Sequence, residues 1–289
     1  MPLEASMPSL EHTPPSSALG LGDATFDRIA GLVRTECGIE LSQSKSNLIV
    51  SRLGRRVKTL NLISFDAYVD HIETASGRDE MRRMISLLTT NVTKFFREPH
   101  HFAALRTDIL PMLIAKARSG ASVRIWSAGC SSGEEPLSIG METLKLCPKA
   151  SDLDLRILGT DLDPVSLQTA RRASYDASSI SNLTAQDQGQ FFEPADDGKN
   201  LRAISELRDL ITYAELNLIG EWPMERPFDV IFCRNVVIYF DNPTQATLWP
   251  RFANALHRKG SLFIGHSERL GGPGVSSFEP SGITQYRRI

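Results

Sequence analysis

The sequence predicts an α/β protein: a Rossmann-like parallel sheet carrying an inserted β-hairpin and preceded by a small all-α region. Three observations predict it. A strand, a glycine-containing loop and a helix follow one another between Val123 and Leu146, a second apolar run closes on Asp161, and residues 23–90 have helical periodicity throughout.

The run Val123-Arg-Ile-Trp-Ser-Ala128 is short and rich in β-forming residues, whereas Leu137, Ile139, Met141, Leu144 and Leu146 suit a buried helix. Between them, Gly129 and Gly133 permit a sharp turn and close approach of backbone to a ligand. Glu134, Glu135 and Pro136 read as a helix first turn, where acids and proline are favoured. The second run, residues 153–160, ends at Asp161 and leads through Asp163-Pro164 into a helix-like stretch reaching Arg172. In a doubly wound sheet an acid at that place accepts hydrogen bonds from two ribose hydroxyls.

The loop departs from the dinucleotide fingerprint, because three residues separate its glycines and no third follows at the expected place. Two carboxylates at the helix start would also oppose a pyrophosphate. A phosphate-free ligand with a cationic centre fits better, and S-adenosylmethionine is such a ligand. A purely structural turn, with acids that serve only the helix dipole, remains an alternative for this segment alone.

The remaining elements are placed in chain order. Residues 1–22, with Pro2, Pro8, Pro14, Pro15 and several serines, read as a disordered leader. A helical domain is expected over 23–90, carried by stripes such as Phe26, Ile29 and Val33 or Ile49, Leu53 and Val57. Residues 91–121 form a linker with a connecting helix over 99–118, and the sheet domain occupies 122–289. Within it, Phe191-Phe192, the turn-like 194–198 and Leu201 to Leu207 predict a hairpin insert over about 190–208. The β-α rhythm resumes with strands over 211–218 and 228–233, a helix over 242–258, a strand over 261–265 and a last β-like run over 283–287.

Composition excludes more than it assigns. With 289 residues two domains are expected, and 41% apolar with 23% charged residues is ordinary for a globular protein. A formal net charge of −2 gives no global reason to expect nucleic acid as a partner. Cys37, Cys130, Cys147 and Cys233 form no metal-type pair, which suits reduced thiols in the cytoplasm, and no apolar stretch reaches membrane-spanning length, so no direct membrane insertion is expected. His100 and His101 are adjacent and are not expected to face one metal from a regular helix. His266 is expected to hydrogen-bond within a loop.

Several segments converge on one ligand. Thr89-Thr-Asn-Val-Thr-Lys-Phe-Phe-Arg97 is polar and aromatic at the domain boundary, and Phe232-Cys-Arg-Asn-Val-Val-Ile-Tyr-Phe240 leaves a strand end with Arg234, Asn235 and Tyr239 near the sheet's carboxyl edge. Together, TTNVTKFFREPHHF, WSAGCSSGEEPLSIGM, ILGTDLDP, FDVIFCRNVVIYF and FIGHSE resemble, in the same order, the CheR family of chemotaxis-receptor glutamate O-methyltransferases, over about residues 23–289. The resemblance implies a Rossmann-like S-adenosylmethionine-dependent methyltransferase sheet with the cofactor held by Asn91, Thr93, Arg97, Glu135, Asp161, Asn217, Leu218, Asn235 and Val236. It places Arg97 and Tyr239 near the methyl group and the incoming carboxylate, with S-adenosyl-L-homocysteine as product.

A basic arc beside the apolar strip of residues 49–60, made by Lys45, Arg52, Arg55 and Arg56, suits an acidic helical partner, and in the family this helix meets the receptor's methylation region. The implied partner is thus the cytoplasmic helical bundle of a methyl-accepting chemoreceptor. Family members that dock a receptor tail peptide use a glycine-rich turn in the hairpin; this chain has only Gly198 there, so recognition without tail docking, by a monomer, is expected. The competing reading is a non-catalytic module that keeps the cofactor fold and occupies an acidic helical partner.

Overall fold

The structure, a computed structural model, describes residues 19–89 and 91–289. Residues 1–18 of the expected leader, and Thr90, lie outside the described residues.

Four helices come first: α1 (Asp23–Cys37), α2 (Ser46–Thr59), α3 (Phe65–Ile72) and α4 (Arg78–Leu88). Each turns one stripe inward, so that Phe26, Ile29, Val33, Ile49, Leu53, Val57, Tyr68, Val69 and Met84 meet in one apolar cluster. Local signals set the ends. Gly38 takes a left-handed conformation after α1 and its N–H bonds to the Arg34 carbonyl, while the Ser64 hydroxyl accepts from Ala67 N at the start of α3. The 99–118 helical stretch becomes α5 (Pro99–Ala104) and α6 (Leu110–Arg118), joined by a wider π-type turn over Leu105–Ile109.

The sheet domain then alternates: β1 (Val123–Ala128), α7 (Glu134–Leu146), β2 (Leu155–Asp161), α8 (Pro164–Arg172), β3 (Ser174–Tyr175), α9 (Ala185–Phe191), β4 (Phe192–Pro194), β5 (Leu201–Ala203), α10 (Ser205–Arg208), β6 (Ile211–Glu215), β7 (Phe228–Cys233), α11 (Asn242–Ala255), β8 (Leu256–Ile264), β9 (Phe278–Gly282) and β10 (Gln285–Arg288). The seven-stranded sheet has the order β6-β2-β1-β7-β8-β10-β9. β6, β2, β1, β7 and β8 run parallel, and β10 is antiparallel to both its neighbours.

Because β1 lies between β2 and β7, the strand order reverses beside it, and a crevice opens at the carboxyl ends of β1 and β7. The sheet is covered on both faces, as parallel strands require: one layer packs Leu105, Ile114, Leu137 and Met141 against Ile125 and Ile157, the other packs Leu248, Trp249 and Phe252 against Trp126 and Ile231.

Three expectations need correction. α11 stops at Ala255 rather than Arg258, because Leu256 already pairs with Phe228 and starts β8 five residues early. The hairpin is shorter than 190–208: within that range β4 pairs with β5, α9 and α10 occupy its flanks, and the two-residue β3, too short for a periodic signal, pairs with the other edge of β5. The strand expected over 211–218 ends at Glu215. Among the described residues, no helix is long and apolar enough to cross a membrane.

Candidate active site

A cleft with about 1300 Å³ of empty space, its open mouth included, occupies the predicted crevice. The sheet supplies the floor through Gly129, Ser131, Glu135, Asp161, Leu218 and Val236; the helical region supplies the roof through Cys37, Ile39, Leu41, Lys45 and Leu88. The segment carrying Asn91 to Arg97 forms the side between them. All nine positions assigned to the cofactor line this one cleft, and so do Tyr239 and Lys45.

The loop after β1 is shaped by its glycines. Gly129 and Gly133 sit at φ 79° and 98°, and a β-carbon on Gly129 would lie 2.3 Å from Val236 Cγ2, so the two strand ends approach within a distance only glycine allows. The loop backbone is tied to β2: Ser131 N donates to Asp161 Oδ2 at 2.7 Å, and Asp163 N to Oδ1 at 2.9 Å. Each carboxylate oxygen keeps a further lone pair, so Asp161 is held in place with acceptor capacity left for a diol. Burial raises its pKa above the ordinary carboxyl range, and the Asp163 and Ser131 N–H groups oppose that rise.

Glu135, at the start of α7, takes a hydrogen bond from Ser127 Oγ at 2.7 Å and one from Arg234 Nη1 at 3.1 Å. Burial pushes its carboxyl upward and the Arg234 charge is the main influence holding it down. Its neighbour Glu134 turns away, accepting from Ser132 Oγ, so the two acids do more than serve the helix dipole. A buried carboxylate, a fixed acid with free lone pairs and a wall without a phosphate cradle fit an adenosyl ligand with a cationic tail.

Some assigned residues are already engaged. The Asn91 amide donates to Asp163 Oδ2 and Ser166 Oγ, at 2.7 and 2.9 Å, and Asn217 Nδ2 donates to the Glu36 carbonyl at 2.6 Å, fastening the end of α1 over the sheet. Arg97 Nη1 donates to the Val92 carbonyl at 3.0 Å, which curls the 91–97 segment on itself. Asn235 has φ 60°, a conformation stabilised by Glu268. The buried Glu268 carboxylate accepts from the backbone N–H groups of Gly265, Asn235, Val236 and Val237, and so binds together the ends of β7 and β8.

The basic arc divides. Arg56 makes a two-point pair with Glu80 of α4, Nε to Oε1 at 2.9 Å and Nη2 to Oε2 at 2.6 Å, and Tyr68 Oη donates to the same acid. Arg52 Nη1 donates to the carbonyls of Leu87, Leu88 and Thr89 at the end of α4. Of the four, only Lys45 lines the cleft, while Arg55 is exposed on α2. Arg52 and Arg56 of the expected arc thus also bond to α4, a neighbour that helical spacing within α2 does not reveal.

His100 and His101 lie in the first turn of α5. Glu98 has φ 57° and precedes Pro99, and the ligand-capable atoms of Glu98, His100 and His101 come within 4.8 Å of one another. His101 is nonetheless built into the fold, with Nε2 at 3.0 Å from the Ile283 carbonyl and its pKa lowered to about 4 by burial and by Arg234. His266 behaves as expected: its N–H and Nδ1 both meet Glu98 Oε1. Glu98, Glu268 and the roof at 37–41 are the site residues that motif reading left without a role. The first two stand inside the motifs REPHHF and FIGHSE, where position alone could have flagged them.

Comparison with known proteins places this geometry. Residues 91–286 match the family model described as CheR methyltransferase, SAM binding domain, and residues 24–89 match CheR methyltransferase, all-alpha domain. The chain is 45% identical over 258 residues to a probable chemotaxis protein methyltransferase of Rhizobium etli, covering 89% of this chain and 96% of that one. It is 38% identical to the chemotaxis protein methyltransferase of Escherichia coli, covering 87% and 86%. It is also 38% identical to chemotaxis protein methyltransferase 2 of Pseudomonas aeruginosa, covering 81% and 82%. The chain belongs to the CheR methyltransferase family.

Proposed function

We propose that the cleft joins S-adenosylmethionine to a glutamate side chain of a chemoreceptor's cytoplasmic helical bundle, forming the methyl ester that sets sensory adaptation. The observation that carries this reading is the meeting of Asp161, Glu135, Arg97 and Tyr239 in one cleft. Asp161 holds the ribose hydroxyls, Glu135 the α-ammonium, and Asn91, Thr93, Asn217, Leu218, Asn235 and Val236 enclose the remainder. The bound cofactor supplies an electrophilic methyl group on a sulfonium.

The residues of the chain then have a modest task. A glutamate with an ordinary pKa of about 4.3 is already ionised near neutrality, so no strong base is needed. Alignment is the main contribution, and in favourable systems approximation supplies roughly 7–11 kcal/mol. Arg97 and the Tyr239 hydroxyl orient the incoming carboxylate; a tighter grip would quench the nucleophile. Lys45 at the cleft and Arg55 on α2 meet the acidic receptor helices, as a monomer, and the short hairpin with Gly198 takes no tail peptide.

The non-catalytic alternative is not favoured, because the two positions nearest the incoming carboxylate are kept and both line the cleft. Calorimetry with S-adenosylmethionine and S-adenosylhomocysteine tests the cofactor assignment, and transfer of labelled methyl to receptor glutamates tests the reaction. Cofactor binding without transfer would favour the binding module. A titration with receptor tail peptide that shows tight association would overturn the docking proposal.

A further inference from the structure

Arg234 directly follows β7 with its side chain 1% exposed, yet it joins three parts of the cleft wall. Nη1 donates to Glu135 Oε2 at 3.1 Å, while Nη2 donates to the main-chain carbonyl of Arg97 and lies 3.4 Å from Glu98 Oε2. The guanidinium sits over Phe102, 5.6 Å from the ring centroid, which fixes its plane. A planar fork with rigid donors can hold two acceptors at a set separation; the single point charge of a lysine cannot.

The geometry points to Arg234 as a positioning residue that holds the Glu135 carboxylate at the cleft wall for the cofactor's α-ammonium and anchors the Arg97 main chain at the substrate mouth. This rests on the cofactor reading above. The groups facing Glu135 are Arg234 just after β7, Arg97 and Glu98 from the segment before α5, and Ser127 from β1, with the buried thiols of Cys130 and Cys233 also within electrostatic reach. Burial pushes the Glu135 carboxyl upward, Arg234 opposes it most, Ser127 next, and Glu98 works against them. Without the guanidinium, Glu135 would take up a proton at higher pH and lose its attraction for an ammonium group.

The test uses the full chain with Arg234→Gln and Arg234→Lys, and two ligands. S-adenosylhomocysteine carries the α-ammonium; 5′-methylthioadenosine has the adenosyl thioether and no amino acid. Affinities are measured by calorimetry at pH 6 and pH 8, with thermal melting to monitor folding. Arg234→Gln is expected to bind S-adenosylhomocysteine about 10- to 100-fold more weakly, the range of a lost hydrogen bond to a charged group, with a greater loss at pH 6 than at pH 8. Its affinity for 5′-methylthioadenosine should stay within about threefold of wild type on the same scale. Arg234→Lys, which keeps the charge and loses the fork, should fall between and decides the matter if the glutamine variant fails to fold. Unchanged affinity, an equal loss for both ligands, or a loss independent of pH would overturn the role. A wild-type protein that binds neither ligand would instead overturn the cofactor reading beneath it.

Discussion

Two arginine clusters in this molecule use the same groups to opposite ends. In the helical region Arg56, Glu80 and Tyr68 form a closed set: one guanidinium, one carboxylate and a hydroxyl, with both acid oxygens hydrogen-bonded. At the sheet edge Arg234 faces two carboxylates, Glu135 and Glu98, and Glu98 Oε2 and Arg234 Nε are buried without a hydrogen-bond partner. The first set is complete and holds α2, α3 and α4 together. In the second, two carboxylates share one buried guanidinium at the border of a cleft, which leaves acceptor capacity for a cationic ligand. The acidities agree: burial raises the Glu80 carboxyl, but Arg56 and Tyr68 outweigh it and leave it lowered, whereas at Glu135 burial wins.

The contrast can be broken by mutation, and the largest effect belongs to the closed cluster. Arg56→Met leaves Glu80 unpaired in a largely buried place and should cost about 3 kcal/mol of stability in urea unfolding, with cofactor affinity of the folded protein unchanged. A parallel loss of affinity would erase the distinction between the clusters. Asp161→Ala reverses the pattern: affinity for S-adenosylmethionine should fall by about 1.5–3 kcal/mol, and calorimetry showing no change would remove this residue from the site.

A smaller effect separates the arginines of α2. Arg52→Ala uncovers the carbonyls at the end of α4 and should lower stability by about 1 kcal/mol. Arg55→Glu should leave melting and cofactor affinity as they are and slow receptor methylation, most visibly at low salt. Equal destabilisation by both changes would mean that Arg55 also belongs to the fold.

The smallest effect is one of pH. Burial pushes the Glu98 carboxyl up, but His266 and Arg234 outweigh it and hold the pKa at about 2, below the unfolded value of 4.5. A depressed folded pKa contributes stability that is present above the unfolded value and is lost as pH falls toward about 2. Glu98→Gln should therefore flatten melting temperature against pH in that acid window. Glu135 and Asp161, raised by burial, carry the opposite sign, and their contribution fades as pH rises. A Glu98→Gln profile as steep as wild type would place the acid sensitivity elsewhere.

Most of the sheet was legible because its signals are local. The strand at Val123, the glycines at 129 and 133 and the acid at 161 each report on neighbours a few residues away, and the parallel order puts their ends in one crevice. The nine positions assigned to the cofactor came from motif resemblance, and all of them line one cleft. The early start of β8 was not, because Leu256 pairs with Phe228 across 28 residues of chain that carry no periodic mark of it.

By itself the sequence determined the helical stripes, the strand-loop-helix junction and the acids at its edge, since each is fixed by side-chain period, glycine freedom or helix-end electrostatics. Only the tertiary structure decided which charges are spent within the molecule and which stay available. Arg52 and Arg56 look alike with Arg55 along one helix, but α4 lies against two of them, and pairing depends on that neighbour. Arg234 likewise reads as one more residue at a strand end until the fold brings Glu135, Glu98 and the Arg97 carbonyl around it, because a charge acquires its role from the groups packed against it.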